Sequence, residues 1–263
     1  MIGDFVPVAR AVIGVRNLKI ITFGPRPQDF FACNAPIKGL YELGVEIEEN
    51  SELDLLVAFK EHENDPRIPE VCADMAKEMG EGRYYEDLNV RMAQFELTLL
   101  DWAEAHKGAR KYVAFADKCW PAFPSQFGFE PCYVNSRLVS RGIPVSCEVD
   151  IYGALSEYIG LCISNDAVTL LDINNSVPQY IYDEDIKGKY DYKLTDTFMG
   201  FHVEILRNAR CANPEPLNIS SSSTDFLSQQ DLSQTLQEEL LKVTSLLLTS
   251  HSIVCSATQK VNW

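Results

Sequence analysis

The stretch IPVSCEVDIYGALSEYIGLCISNDAVTLLDINN, residues 143–175, sets the fold class. It opens on a short apolar run, IPVSCE (143–148), that ends in an acid. A helical pattern follows over 150–164, with Asp150 placed directly before it as an N-cap. A second β-like run, AVTLLDINN (167–175), ends in Asp172 and a loop. Strand, helix and strand in this order predict a parallel pair joined by a right-handed crossover.

The same alternation extends toward the N-terminus. Residues 4–16 have a helical pattern, and NLKIITFG (17–24) reads as a buried strand. A helix runs to about Leu43, and VEIEE (45–49) is a second strand. Helical stretches follow at 51–60 and 67–79, then a long amphipathic helix at 84–108, closed by Gly108. KYVAFAD (111–117) is a strand, CWPAFPSQFGFEP a Pro- and aromatic-rich loop, and 132–141 a helix. The expectation is an α/β protein with an open, mostly parallel, doubly wound sheet. Ligands of such sheets sit beyond the carboxyl ends of the strands. Three of those ends carry unusual loops: Gly24 onward, Cys119–Phe129, and Glu148 together with Asp172.

Composition narrows the function classes. The chain has 263 residues, 46% of them hydrophobic, enough to bury a sizeable core. Its net charge of −15, with no cluster of Lys and Arg, argues against a nucleic-acid partner. No apolar run reaches the roughly 18 residues of a spanning helix, so no membrane partner is expected. Cys33, Cys72, Cys119, Cys132, Cys147 and Cys162 are scattered singly, without a CxxC pair. The opening MIGDFVPVAR has neither a charged leader nor a long apolar run. These features predict a cytoplasmic protein whose thiols are mostly packed inside.

Glu148 and Asp172 each end an expected strand, one strand–helix–strand unit apart, which would bring both carboxylates to one edge of the sheet. Two facing carboxylates repel unless they share a cation or a proton. The plainer reading makes them acids near helix starts. His202 would complete a His-plus-two-carboxylate set suited to Mn²⁺, Fe²⁺ or Mg²⁺. Trp120 and Phe123 are candidates either for stacking on a sugar ring or for the core. The sequence contains no Walker A, GxGxxG or GxSxG motif, so nucleotide chemistry and Ser-His-Asp hydrolysis have little support.

Residues 142–175, with the strand-end Glu, the Val-Asp-x-x-Gly-Ala-Leu helix start and the Leu-x-Asp-x-Asn-Asn strand end, resemble the L-fucose isomerase / L-arabinose isomerase superfamily, especially its fucose-isomerase-like members. LKIITFGPRPQDFF and CWPAFPSQFGFEPC are similar to the middle domain of that family, and the resemblance covers most of residues 10–202. It implies an aldose–ketose isomerase with a divalent metal, usually Mn²⁺, acting on an open-chain monosaccharide through an enediolate. It also implies that Glu148 and Asp172 bind the metal and shuttle the proton, that His202 is a further ligand or substrate contact, and that whole members are trimers or hexamers. Trp120 is the expected substrate contact. The alternative is a non-catalytic sugar-binding α/β module.

The chain also departs from that family. Whole members are longer at both ends, so the expectation is a fragment with little or no activity of its own. It would comprise a middle domain over 1–163, the start of a C-terminal domain over 164–202, and a tail over 203–263. All 14 glycines lie at or before Gly200. Where the family continues Gly-Phe-His-Cys-Gly-Asn, this chain has Gly-Phe-His-Val-Glu-Ile. Deleting one T from CAT TGT GGA AAT ACT TCG gives CAT GTG GAA ATA CTT CG, which encodes the His-Val-Glu-Ile-Leu of 202–206 and begins the Arg codon of 207. The tail therefore reads as an out-of-frame, poorly packed segment.

Overall fold

A computed structural model describes residues 2–34, 36–79, 86–168, 170 and 172–201. Side chains are described for all of these except 2–4, 86, 172–176 and 198–201. Two compact units divide between Leu170 and Leu171.

The first unit is built on four strands: β1 (Leu18–Phe23), β2 (Glu46–Asn50), β3 (Tyr112–Ala116) and β4 (Val145–Ser146). They lie in the order β2-β1-β3-β4, and every pairing is parallel. The helices of this unit are α1 (Ile2–Val15), α2 (Lys38–Glu42), α3 (Glu52–Glu61), α4 (Ile68–Met79), α5 (Glu86–His106), α6 (Phe123–Phe127), α7 (Cys132–Ser140) and α8 (Ile151–Ser164). The expected α/β class with a doubly wound parallel sheet is what the chain adopts.

Burial on both faces explains why β1 is mostly apolar, with no polar alternation beyond Lys19 and Thr22: all six of its residues are buried. Successive side chains divide between the two layers. Leu18 and Ile20, with Ala114 and Ala116, pack under α8 residues Ile151, Ala154, Leu155 and Tyr158. Ile21 and Phe23, with Phe115, pack under Phe59, Met75, Phe95 and Leu138 from α3, α4, α5 and α7. The second layer is rich in rings. Phe123 and Phe127 stack at 4.0 Å, and Phe95 meets Phe123 edge-on at 5.3 Å. The loop after β3, expected to be irregular, therefore contains the short helix α6, held down by its phenylalanines. Phe123 is a core residue, 1% exposed.

The second unit carries β5 (Asp172–Ser176) and β6 (Phe198–Phe201), paired antiparallel with an irregularity between Ile173 and Asn175. Val177, Ile181 and Ile186 form its small core, flanked by Tyr182, Tyr190, Tyr192 and Leu194. This corrects one expectation. The run at 167–175 does not extend the parallel sheet, and Asp172 opens a strand rather than ending one. Local pattern marked a β-forming segment, but the partner that sets its direction lies at Phe198–Phe201, beyond reach of a local reading.

Candidate functional site

The order β2-β1-β3-β4 reverses direction between β1 and β3, which places the crevice of this fold beyond the carboxyl ends of those two strands. Gly24 follows β1 with φ 127°, a conformation that favours glycine. A Cβ there would also come within 3.1 Å of Lys118 Cδ. Lys118 itself pairs with Glu52 at 2.8 Å. Asp117, at the end of β3, is fully buried and accepts a hydrogen bond from Asn135 Nδ2 at 3.0 Å.

β4 ends beside them in an unusual way. Asp117 N donates to Ser146 O at 3.0 Å, and the next ladder bond runs from Val149 N to Asp117 O at 2.8 Å. A regular parallel ladder would use the amide of Glu148. Glu148 is thus an extra residue, bulged out of the ladder, and it and Val149 both adopt left-handed backbone, with φ 59° and 56°. For a β-branched residue this conformation is rare and costly. Immediately beyond, Asp150 caps α8 through Gly153 N at 2.9 Å. Gly153 is required by space: a Cβ would come within 2.5 Å of Ser146 Oγ and 2.6 Å of Asp150 Oδ2. The Val-Asp-x-x-Gly-Ala-Leu pattern is therefore the structural means of starting α8 directly against the strand end, with Glu148 turned out beside it.

The bulge brings Glu148 against two thiols. Cys119 Sγ donates to Glu148 Oε1 at 3.0 Å, Cys147 Sγ lies 2.7 Å from Cys119 Sγ, and Cys147 Sγ lies 3.8 Å from the same carboxylate oxygen. Cys147 is buried, while Cys119 and Glu148 are partly exposed. The hydrogen bond from Cys147 pulls the Cys119 thiol pKa down, but burial and the charges of Asp117 and Glu148 outweigh it, and the net shift is upward. The site thus gathers Glu148, the buried Asp117 and two thiols, that of Cys119 with its pKa raised.

The other expected site residues divide as follows. Trp120 follows Cys119 on the same loop and is 46% exposed, so it is not a core residue and can present its ring to a ligand. Asp172 is placed by its backbone at the head of β5, and its side chain lies outside the described ones. His202 and the segment 203–263 lie outside the described residues. Cys119 and Cys147 were missed as site residues. Their signal was position, since each follows one of two adjacent parallel strands.

Of the expected metal ligands, Glu148 is the one whose side chain is described. A partly exposed carboxylate at the strand ends is an appropriate oxygen donor for Mn²⁺ or Mg²⁺; the thiols are not. A second cluster, His62, Asp65 and Asp101, also has ligand spacing. There the Arg67 guanidinium already occupies the centre, 2.6 Å from Asp65 and 2.5 Å from Asp101.

No family model matches the chain. Among curated proteins it is similar to sulfoquinovose isomerases. Those of Priestia aryabhattai and Priestia megaterium are 32% identical over 156 residues, covering 58% of this chain and 33% of theirs. That of a Clostridium species is 27% identical over 174 residues, covering 62% of this chain and 37% of its own. The chain spans about a third of the length of these relatives. Among the described residues no helix is long and apolar enough to cross a membrane.

Proposed function

We propose that the chain is part of a metal-dependent aldose–ketose isomerase of the L-fucose/L-arabinose type, with an open-chain monosaccharide as substrate. The observation that carries this reading is the similarity to proteins named sulfoquinovose isomerase. The bulged Glu148 at the carboxyl edge supports it by supplying a suitable base at the place where this fold binds ligands.

In this reading Glu148, Asp172 and His202 hold the divalent ion, Mn²⁺ by preference. Bound there, the ion would offset the negative charge that develops on the two substrate oxygens. Glu148 takes the proton from C2 of the aldose and returns it to C1. Cys119 Sγ donates to this carboxylate at 3.0 Å and helps fix its orientation for proton transfer. Asp172 assists the transfer between the oxygens, and Trp120 offers a face for the sugar ring. The whole enzyme would be cytoplasmic and oligomeric, and the chain alone weakly active.

The test is turnover of sulfoquinovose, L-fucose and L-arabinose with Mn²⁺ in excess. It is run on this chain and on the longer product obtained by reading its DNA across codon 202 in the alternative frame. Isomerisation that disappears in Glu148→Gln supports the reading. Sugar binding that survives EDTA and ignores Glu148→Gln, without turnover, would favour a binding module instead.

A further inference from the structure

We propose that Cys119, Cys147 and Glu148 form a second cation site, specific for a soft divalent ion such as Zn²⁺ or Cd²⁺, whose occupation withdraws Glu148 from substrate. Cation binding stands on the geometry of these three residues. Its effect on turnover rests on the isomerase reading above.

The three ligand atoms lie within 4.8 Å of one another. A tetrahedral Zn²⁺ with bonds of about 2.3 Å to sulfur and 2.0–2.2 Å to oxygen sets its sulfurs about 3.7 Å apart. The 2.7 Å between Cys119 and Cys147 must therefore open by about 1 Å. Cys119 can move to allow this, since it sits on a partly exposed loop rather than in the ladder. Cys147 is buried at the end of β4 and Glu148 is fixed by its bulge, so two of the three donors are preorganised. A water would complete the tetrahedron from the crevice side.

The electrostatics point the same way. Glu148, 3.0 Å from Cys119 Sγ, and the buried Asp117 at the end of β3 supply negative charge beside the thiols, which favours a divalent cation. Binding balances as one M²⁺ in and two thiol protons out, one from each cysteine. Mn²⁺ prefers oxygen and nitrogen donors and would leave the thiols alone. The site therefore discriminates between an ion that supports the proposed chemistry and one that blocks it, with Glu148 common to both.

The experiment titrates the full chain with CdCl₂ under reducing, metal-free conditions and follows the ultraviolet thiolate-to-cadmium absorption. The expected result is one tight equivalent, an intensity matching two thiolates, and release of about two protons. Cys119→Ser and Cys147→Ser should each weaken binding by about 100-fold or more, since losing a direct ligand costs at least as much as losing an outer partner. Cys132→Ser, on α7, should bind like the parent. Circular dichroism establishes that each variant is folded, and Cys119→Ala replaces Cys119→Ser if that variant is not. Unchanged cadmium affinity in folded Cys119 and Cys147 variants, or absence of the thiolate band in the parent, overturns the site. Where turnover is measurable, Cd²⁺ should inhibit the parent and spare folded Cys119→Ser. If turnover is absent from both this chain and its longer, frame-corrected product but the band is present, the isomerase reading fails and the soft-metal site stands.

Discussion

The two ends of the parallel sheet are built on opposite plans. At the amino end, Lys19 is 7% exposed and sits between Glu46 at 3.2 Å and Glu48 at 2.7 Å. It also donates to His106 O at 2.6 Å, while Arg110 reaches Glu46 at 3.1 Å and His106 Nδ1 reaches Glu48 at 2.7 Å. Charge there is matched, and the network ties α5 to β1 and β2. At the carboxyl end the chain collects Asp117, Glu148 and two thiols in one place, and bends its backbone into costly conformations to do so. One end is arranged for stability, and the other concentrates acids and thiols that suit a ligand.

The sharpest way to break this contrast is Glu148→Gln. It should lower isomerase turnover by about 10²- to 10⁴-fold while leaving the urea midpoint nearly unchanged, because Gln keeps the shape but cannot carry the proton. Near-parental turnover on the best substrate would remove Glu148 as the base. Lys19→Met should do the converse. It removes the shared ammonium, leaving Glu46 to Arg110 and Glu48 to His106, and should cost about 2 kcal/mol in urea unfolding, with substrate KM unaffected.

A pH series sharpens the contrast further. Glu46 is held below its ordinary value by its bond to Arg110 and then by Lys19. Burial would raise Glu48, but its bonds to Lys19 and Asn50 outweigh burial and lower it. Burial would lower Lys19, but Glu48 and Glu46 outweigh burial and raise it. The carboxylates' contribution is therefore full above their ordinary value of 4.5 and fades as pH falls through their lowered values. The lysine's contribution is full below 10.5 and fades as pH rises through its raised value. Thermal melts should show a plateau between these limits, and Lys19→Met should flatten both flanks. Unaltered flanks in that variant would mean the network does not govern acid or alkaline stability. The smallest effect concerns Ser51, which follows β2 and caps α3 in a reciprocal box with Asp54. Ser51→Ala should cost about 1 kcal/mol in urea unfolding.

Much of this layout was legible in the sequence. Every strand of the parallel sheet overlaps a stretch read from apolar, β-branched residues, and α5 and α8 were read close to their ends from Gly108 and Asp150. Those signals are local, and local signals suffice where burial makes a strand mostly apolar and β-branched. The bulge at Glu148 was not legible, because no residue type announces a left-handed Glu followed by a left-handed Val. The Cys119–Cys147 pair was hidden as well, since their proximity depends on β3 and β4 being neighbours. Asp172 was misplaced within its strand because pairing direction belongs to the partner and not to the segment.

The left-handed pair at 148–149 has a consequence for protein engineering. A campaign selecting only for a higher melting temperature would find these positions quickly, since glycine relieves a strain of about 1–3 kcal/mol per residue. At residue 148 the stabilised variant would lack the carboxylate altogether. Thermostability and function would then pull on a single codon in opposite directions, and selection for heat resistance alone would favour a sturdier chain without its proposed base.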